Sequence, residues 1–201
     1  MADTAEPRDE HLLRRVAAGD EEAFRVFYAR HQGAMFRFAL YMTGRREAAE
    51  EVVQEAFMTI MREAGKFDAK RGAPQAFLYG IARNHVRRLQ ERERRYEPLM
   101  EDAELQAHVA RIYPAQEVLL EGMTRAEAVE QVRSAVTMLP QPYREAVTLC
   151  DLQGHDYAKA AKILDCPIGT VRSRLARGRE MLTARLRAVP AGAKKSASGS
   201  S

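Results

Sequence analysis

The stretch that decides the fold is DYAKAAKILDCPIGTVRSRLARGREML, residues 156–182. Its first part predicts a short helix that Asp156 caps, because small and apolar side chains return to one face: Tyr157, Ala160, Ala161 and Leu164. The triplet Asp165-Cys166-Pro167 then interrupts the helical pattern. A second apolar pattern follows at intervals of three or four residues: Val171, Leu175, Gly178, Leu182 and Leu186. Two helices of this size around a three-residue break predict a helix-turn-helix from Asp156 to Leu186.

The other face of the second predicted helix is basic. It carries Arg172, Arg174, Arg177 and Arg179, with Thr170 and Ser173 near its start. An arginine can bond guanine through two hydrogen bonds or clamp a phosphate. The start of such a helix is also the end that enters the major groove. A solvated basic face on an ordinary core helix is the alternative, but the preceding helix and turn favour DNA binding.

The rest of the chain also has helical patterns, and no Asn-Gly or Asp-Gly pair indicates a hairpin. Further helices are predicted at 20–41, 46–64, from Pro74 onward, 126–139 and 143–152. Pro140 and Pro142 are interpreted as the break before the last of these. The sequence therefore predicts an all-α protein.

The predicted helix at 46–64 has two distinct sides. Its apolar stripe consists of Val52, Val53, Ala56, Phe57, Ile60 and Met61, and its opposite side of Glu51, Gln54, Glu55, Met58 and Arg62. The helix that begins at Pro74 starts apolar and becomes basic, with arginines at 83, 87, 88, 92, 94 and 95.

The distribution of charge indicates two small helical domains joined by an acidic linker. Residues 97–121 hold six acidic residues, one arginine and two prolines. We therefore predict an N-terminal segment at 1–19, a first domain at 20–96, a linker at 97–125 and a second domain at 126–188. The small, polar residues 189–201 predict a disordered tail.

Composition excludes several classes of protein. The 201 residues are 46% hydrophobic, but no apolar run approaches the length of a membrane span, and the N-terminus lacks the apolar core of a signal peptide. The net charge of +4 is a weak signal. With two cysteines at no framework spacing, we expect a reduced, cytoplasmic protein without a structural disulfide.

A metal or redox enzyme is the alternative that the cysteines and histidines raise. Cys150, His155 and Cys166 have the spacing C-x4-H-x10-C, which matches no reliable zinc pattern. We interpret them as structural residues. No nucleophile triad, phosphate-binding glycine loop or paired carboxylates are evident, so we predict no catalytic residue, metal, cofactor or small-molecule substrate.

Two halves of the sequence resemble bacterial sigma factors. LPQPYREAVTL (139–149) and residues 156–182 resemble region 4, and the string from Gly169 to Leu175 is close to its most specific signature. AEEVVQEAFMTIM (49–61) resembles region 2.2, and FLYGIARNHVRR (77–88) resembles regions 2.3 to 2.4. Region 2, a short linker and region 4 with little else match the minimal extracytoplasmic-function (ECF) class. The resemblance covers about residues 20–187.

The resemblance implies a dissociable, non-enzymatic subunit of RNA polymerase that recognises promoters and starts transcription. Region 4 would read the minus-thirty-five duplex through Thr170, Arg172, Ser173, Arg174, Ala176 and Arg177. Region 2 would open the minus-ten element and hold its unstacked bases through Lys66, Asp68, Lys70, Arg71, Arg83, Asn84, Arg87 and Arg88.

The resemblance also implies partners. Glu51, Gln54, Glu55 and Met58 would bind the clamp helices of the polymerase largest subunit, and the polymerase flap is a further expected contact. An anti-sigma factor is the expected regulator. A stand-alone helix-turn-helix regulator is the rival interpretation, but it leaves the helix at 49–61 and the second basic helix unexplained.

The sequence departs from the family pattern at several positions. Tryptophans common in region 2 are absent, with Met61 and Phe77 at positions where many members have one. Arg88 stands where members often have aspartate, and Asp165 replaces the usual glycine of the turn. Lys159-Ala160-Ala161 replaces Glu-Ile-Ala. These changes leave the arginine face intact.

Overall fold

A computed structural model describes residues 7–96 and 124–187 of the protein. Within these two ranges the secondary structure is helical and contains no strand, which confirms the all-α prediction. The first group of helices is α1 (Asp9–Ala17), α2 (Glu21–Thr43), α3 (Arg46–Glu63) and α4 (Pro74–Tyr96). The second group is α5 (Arg125–Thr137), α6 (Gln141–Val147), α7 (Tyr157–Leu164) and α8 (Ile168–Arg187). Most of the predicted linker and the whole predicted tail lie outside the described residues.

The ends of α2 and the start of α4 follow the local signals in the sequence. The Asp20 carboxylate accepts a hydrogen bond from the Ala23 N–H at 3.0 Å and so caps α2. Gly44 ends α2 in the left-handed region, with φ of 73°. Pro74 begins α4, where its missing N–H costs no helical hydrogen bond.

The helix α1 was not predicted from the sequence. Its Leu12 and Leu13 are fully buried, so part of the predicted N-terminal segment belongs to the core. The Asp9 carboxylate also lies 2.8 Å from His31 Nε2, which ties α1 to the buried side of α2.

Three sequence interpretations are wrong. Pro142 does not break a helix, because α6 begins at Gln141 and a proline in the first turn removes only an N–H that has no helical partner. Residues 143–152 are also not one α-helix, since Thr148–Leu152 form a π-helical turn. Met61 is not part of the buried stripe, because 55% of it is exposed.

Each group of helices is built around apolar side chains. Large buried residues of the first group include Phe27, Phe38, Ile60, Leu78 and Tyr79. In the second group α8 packs against α6, and its buried residues are Val171, Leu175 and Gly178. The two groups also contact each other, since α4 lies against α7 and α2 lies against α5 and α6.

Candidate nucleic-acid interface

The helix-turn-helix is formed by α7 and α8. The Asp156 carboxylate accepts a hydrogen bond from the Lys159 N–H at 2.7 Å and starts α7. Asp165 ends it with φ of 50° and ψ of 54°, a left-handed conformation that aspartate tolerates better than most residues. Ala160 and Ala161 are buried, so the two helices approach closely. The predicted motif is therefore present with its predicted cap and turn.

The predicted minus-thirty-five residues share the outer side of the N-terminal half of α8. Arg172, Ser173, Ala176 and Arg177 are exposed, and Thr170 and Arg174 are half-buried. The Arg172 guanidinium lies 5.9 Å from the centre of the Tyr157 ring on α7. Arg174 Nη1 lies 3.9 Å from Cys166 Sγ, whereas Arg172 and Arg177 are exposed on one side of an α-helix, an element that fits a major groove.

Arg179 differs from its neighbours on α8. Its Nη2 and Nε lie 2.6 and 3.0 Å from the two carboxylate oxygens of Asp151, in the π-helical turn. Such a paired geometry anchors α8 to the element before the motif. Arg179 is therefore a structural member of the predicted arginine face.

The predicted DNA-contacting residues on α4 have two different surroundings. Asn84, Arg87 and Arg88 are exposed. Arg83 instead points into the contact between the two groups of helices, where its Nε and Nη2 donate to the Glu145 carboxylate at 2.9 and 3.0 Å. No sequence pattern indicates this pairing, because the two residues are 62 positions apart.

The loop before α4 presents the remaining predicted minus-ten residues. Lys66, Asp68, Lys70 and Arg71 are all exposed. Phe67 anchors the loop, since its ring centre lies 5.7 Å from that of Phe77 at the start of α4. Lys66 pairs with Glu63 at 3.1 Å, and the Asp68 carboxylate accepts from the Lys70 N–H at 2.9 Å, so the charged side chains are exposed with local partners while the base of the loop is packed.

The four residues predicted to bind polymerase face two different sides of α3. Gln54 and Met58 line an open cleft of about 820 Å³ between α2 and α3, together with aromatic residues that include Tyr28 and Phe57. Glu51 lies on the α4 side, with its carboxylate 2.9 Å from Arg92 Nη2.

A second cleft lies between α3 and α4. Glu55 lines it together with Glu51, His85 and Arg88. The His85 Nε2 lies 3.1 Å from Thr59 Oγ1, so this histidine contacts α3. Burial lowers the pKa of His85 below its ordinary value, which favours the neutral ring.

The cysteines and His155 have structural surroundings. Both thiols are free and half-buried, and burial raises the pKa of Cys150. His155 Nε2 lies 3.4 Å from the Tyr79 hydroxyl. In the two described ranges, no group of three or more histidine, cysteine or acidic side chains is arranged to hold a metal. The helices of those ranges also include none with the length and hydropathy of a membrane span.

Sequence reasoning missed the polar residues between the two groups of helices. Arg144 donates through Nη1 to the Met42 carbonyl at 2.7 Å and through Nε to the Leu139 carbonyl at 3.0 Å. Burial lowers its pKa to about 10. The adjacent charges of Arg144 and Glu145, within the largely uncharged stretch 139–149, could have indicated a buried polar contact. The sequence alone does not identify the partners of these two residues.

Both groups of helices match known protein families. Residues 27–96 match the family model described as Sigma-70 region 2, and residues 129–182 match the model described as Sigma-70, region 4. The chain is 33% identical to the ECF RNA polymerase sigma-E factor of Haemophilus influenzae over 182 residues, which cover 87% of this chain and 93% of that protein.

Solved structures agree at the level of the fold. CnrH, determined in complex with the cytosolic domain of CnrY, aligns with a TM-score of 0.64 at 23% identity and covers 89% of this chain and 96% of its own. The sigma factor RpoE of Bartonella quintana, determined in complex with the anti-sigma factor NepR, aligns with a TM-score of 0.60 at 23% identity. That alignment covers 81% of this chain and 96% of RpoE.

Proposed function

Because this chain belongs to the extracytoplasmic-function class of the sigma-70 family, we propose that its two groups of helices read two separate elements of a promoter for core RNA polymerase. The protein is a sigma factor, and it directs polymerase to promoters at initiation. The observation that carries the division of labour is the exposed basic side of α8, because it lies within the part of the chain that matches region 4.

The minus-thirty-five element is assigned to α8. Six residues take this role: Thr170, Arg172, Ser173, Arg174, Ala176 and Arg177. The exposure of Arg172 and Arg177 supports the assignment. Their partners, the Tyr157 ring and the Glu180 carboxylate, lie at the surface, and such exposed contacts contribute little free energy that binding to a guanine or a phosphate would have to replace. Phosphate contacts supply affinity and position, and the few side chains that reach base edges supply the choice of sequence.

The minus-ten element is assigned to the 66–73 loop and α4. The loop residues Lys66, Asp68, Lys70 and Arg71 would hold flipped bases, and the helix residues Arg83, Asn84, Arg87 and Arg88 would follow the backbone at the junction of duplex and single strand. The exposed cations of the loop, on their packed base, and the exposed Arg87 and Arg88 support these roles, whereas Arg83 would first have to leave Glu145.

Core polymerase is assigned to α3 through Glu51, Gln54, Glu55 and Met58, with the flap as a second contact. Among these four residues, Gln54 and Met58 have the best structural support, because they line a cleft with exposed apolar atoms where a helix of the polymerase could pack. An anti-sigma factor is the proposed regulator, and the likeness of the fold to RpoE, which was solved with one, supports it.

Promoter-specific transcription tests the proposal. Purified core polymerase with this protein should give specific run-off transcripts from a subset of a cognate genomic promoter library, and core polymerase alone should give none of them. Absence of any specific transcript would remove the sigma assignment. A gel shift with the protein alone separates the rival, because a stand-alone regulator binds its promoter without polymerase.

A further inference from the structure

The two DNA-binding surfaces are joined in this structure by buried polar contacts. Arg83 on α4 meets Glu145 on α6 through two hydrogen bonds of 2.9 and 3.0 Å, and its third nitrogen, Nη1, donates to the Ile163 carbonyl at 3.1 Å. The Glu145 side chain is 4% exposed and that of Arg83 is 26% exposed. All three nitrogens of the Arg83 guanidinium thus have partners in the second group of helices.

A second set of contacts extends the same junction. The Tyr79 hydroxyl on α4 donates to Gln153 Oε1, and Gln153 Nε2 donates to the Ala34 carbonyl of α2 at 2.8 Å. Arg144 donates to the Met42 carbonyl near the end of α2. Tyr79 is fully buried, so water is excluded from this part of the contact between the two groups of helices.

This arrangement is incompatible with binding both promoter elements at once. Elements centred near minus ten and minus thirty-five lie about 25 base pairs apart, or about 85 Å along a duplex at about 3.4 Å per base pair. Here Arg83 of the minus-ten surface contacts α6, which itself packs against α8 of the minus-thirty-five surface. Residues 97–123 comprise enough chain to bridge about 90 Å when fully extended. Separation of the two groups therefore requires no break in the chain.

We infer that the Arg83–Glu145 pair is a lock that holds the protein in a self-sequestered state, and that Glu145 occupies on Arg83 the place that a DNA phosphate takes when the protein opens. The carboxylate and a phosphate offer the same guanidinium the same kind of paired acceptor. One arginine cannot serve both, so closing of the protein and binding of DNA at Arg83 are mutually exclusive. This inference rests on the proposed role of Arg83 at the minus-ten element.

If the Arg83–Glu145 pair keeps the protein closed, the apparent affinity of the protein for DNA should be lowered. A protein whose competent state is only partly populated binds with an affinity reduced by that fraction. Glu145→Gln removes the negative charge and leaves a similar shape, so the closed state loses its charge pair. Glu130→Gln is the matched control, because it removes one exposed acid that pairs with Arg133 on its own helix.

The experiment uses the full-length chain without polymerase. Small-angle X-ray scattering should show a compact wild type, a radius of gyration larger by several ångströms for E145Q, and no change for E130Q. Fluorescence anisotropy with a labelled random-sequence duplex of about 30 base pairs should show binding at least about fivefold tighter for E145Q than for wild type. An E145Q protein that scatters and binds like wild type overturns the inference, as does a wild type that is already extended.

A second variant covers the case in which E145Q does not fold, as judged by circular dichroism. Gln153→Ala removes the hydrogen bonds to Tyr79 and Ala34 from a segment between helices, and it should also expand the protein. Failure of the proposed function gives a different result. In that case E145Q expands the chain as expected, but neither wild type nor variant gives promoter-specific transcripts with core polymerase.

Discussion

At Gly178, α8 lies in close contact with α6. A Cβ at this position would lie 2.7 Å from Val147 Cγ2 and 3.3 Å from the Tyr143 carbonyl oxygen. Neither neighbour can withdraw easily, because Val147 is buried and the carbonyl is backbone. The absence of a side chain at Gly178 therefore sets the spacing of the helix-turn-helix against its supporting helix.

Gly178→Ala tests this packing. We expect it to lower the free energy of unfolding by about 1–3 kcal/mol, as overpacking of a tight contact does. Chemical denaturation of the full-length protein is the measurement. Gly80→Ala in α4 is the control, because no atom lies within 4 Å of its added Cβ. That change should stabilise the protein by about 0.5–1 kcal/mol, and a destabilisation equal to that of Gly178→Ala would contradict the explanation.

At the scale of elements, α3 and α8 differ in the chemistry of their exposed sides, which supports the different tasks proposed for them. The outer side of α8 holds arginines without partners in the core, whereas the Gln54 and Met58 side of α3 borders an apolar cleft. A basic side suits nucleic acid, and a mixed apolar side suits a protein helix. Substitutions on the two elements should therefore separate DNA recognition from polymerase binding.

Arg177→Ala tests the α8 assignment. We expect a loss of about tenfold or more in transcription from promoters that depend on the minus-thirty-five element, because a lost base contact is worth about 1–3 kcal/mol. Affinity for core polymerase should stay unchanged in a pull-down titration. Arg187→Ala is the control, since it removes an exposed arginine far along the same helix.

The joint substitution of Gln54 and Glu55 by alanine should give the reverse pattern, with weaker core binding and intact minus-thirty-five preference in the residual transcription. Equal losses in both assays for the Arg177 variant would count against the division of tasks. Glu51 is a poorer target for this test, because its pairing with Arg92 links it to α4 as well.

At the scale of the whole molecule, three histidines couple folding to pH. His31 is buried beside Asp9, His85 lies between α3 and α4, and His155 lies at the junction of the two groups of helices. Burial lowers the pKa of all three below the ordinary value. Neutral rings are therefore favoured in the folded state relative to the unfolded state.

The sign of the effect follows from linkage. Between the folded and unfolded pKa values the unfolded chain binds more protons, so stability is full above the unfolded value of about 6.5 and falls as pH decreases through the folded values. We expect the Tm to drop between about pH 7.5 and 5.5, and to change little from this source between about pH 7.5 and 8.5. Replacing His31 by Gln should reduce the drop in Tm. A drop equal to that of the wild type would contradict the contribution of His31 to the pH dependence.

The sequence by itself determined the helical class, most helix boundaries and the identity of the DNA-binding motif. These features are local: capping by Asp20 and Asp156, the glycine at position 44, the proline at 74 and the spacing of apolar residues each act within a few positions. Exposure of the α8 arginines could be predicted for the same reason, because a helix with one apolar side must present the other.

Only the tertiary structure decided which residues meet across the chain. Arg83 and Arg87 look equivalent in sequence, yet one lies against Glu145 and the other in solvent. Arg179 looks like Arg177, yet it is tied to Asp151. The burial of α1 and of Glu145 likewise depends on partners far away in sequence, because apolar packing and ion pairing act through space and carry no periodic signal along the chain.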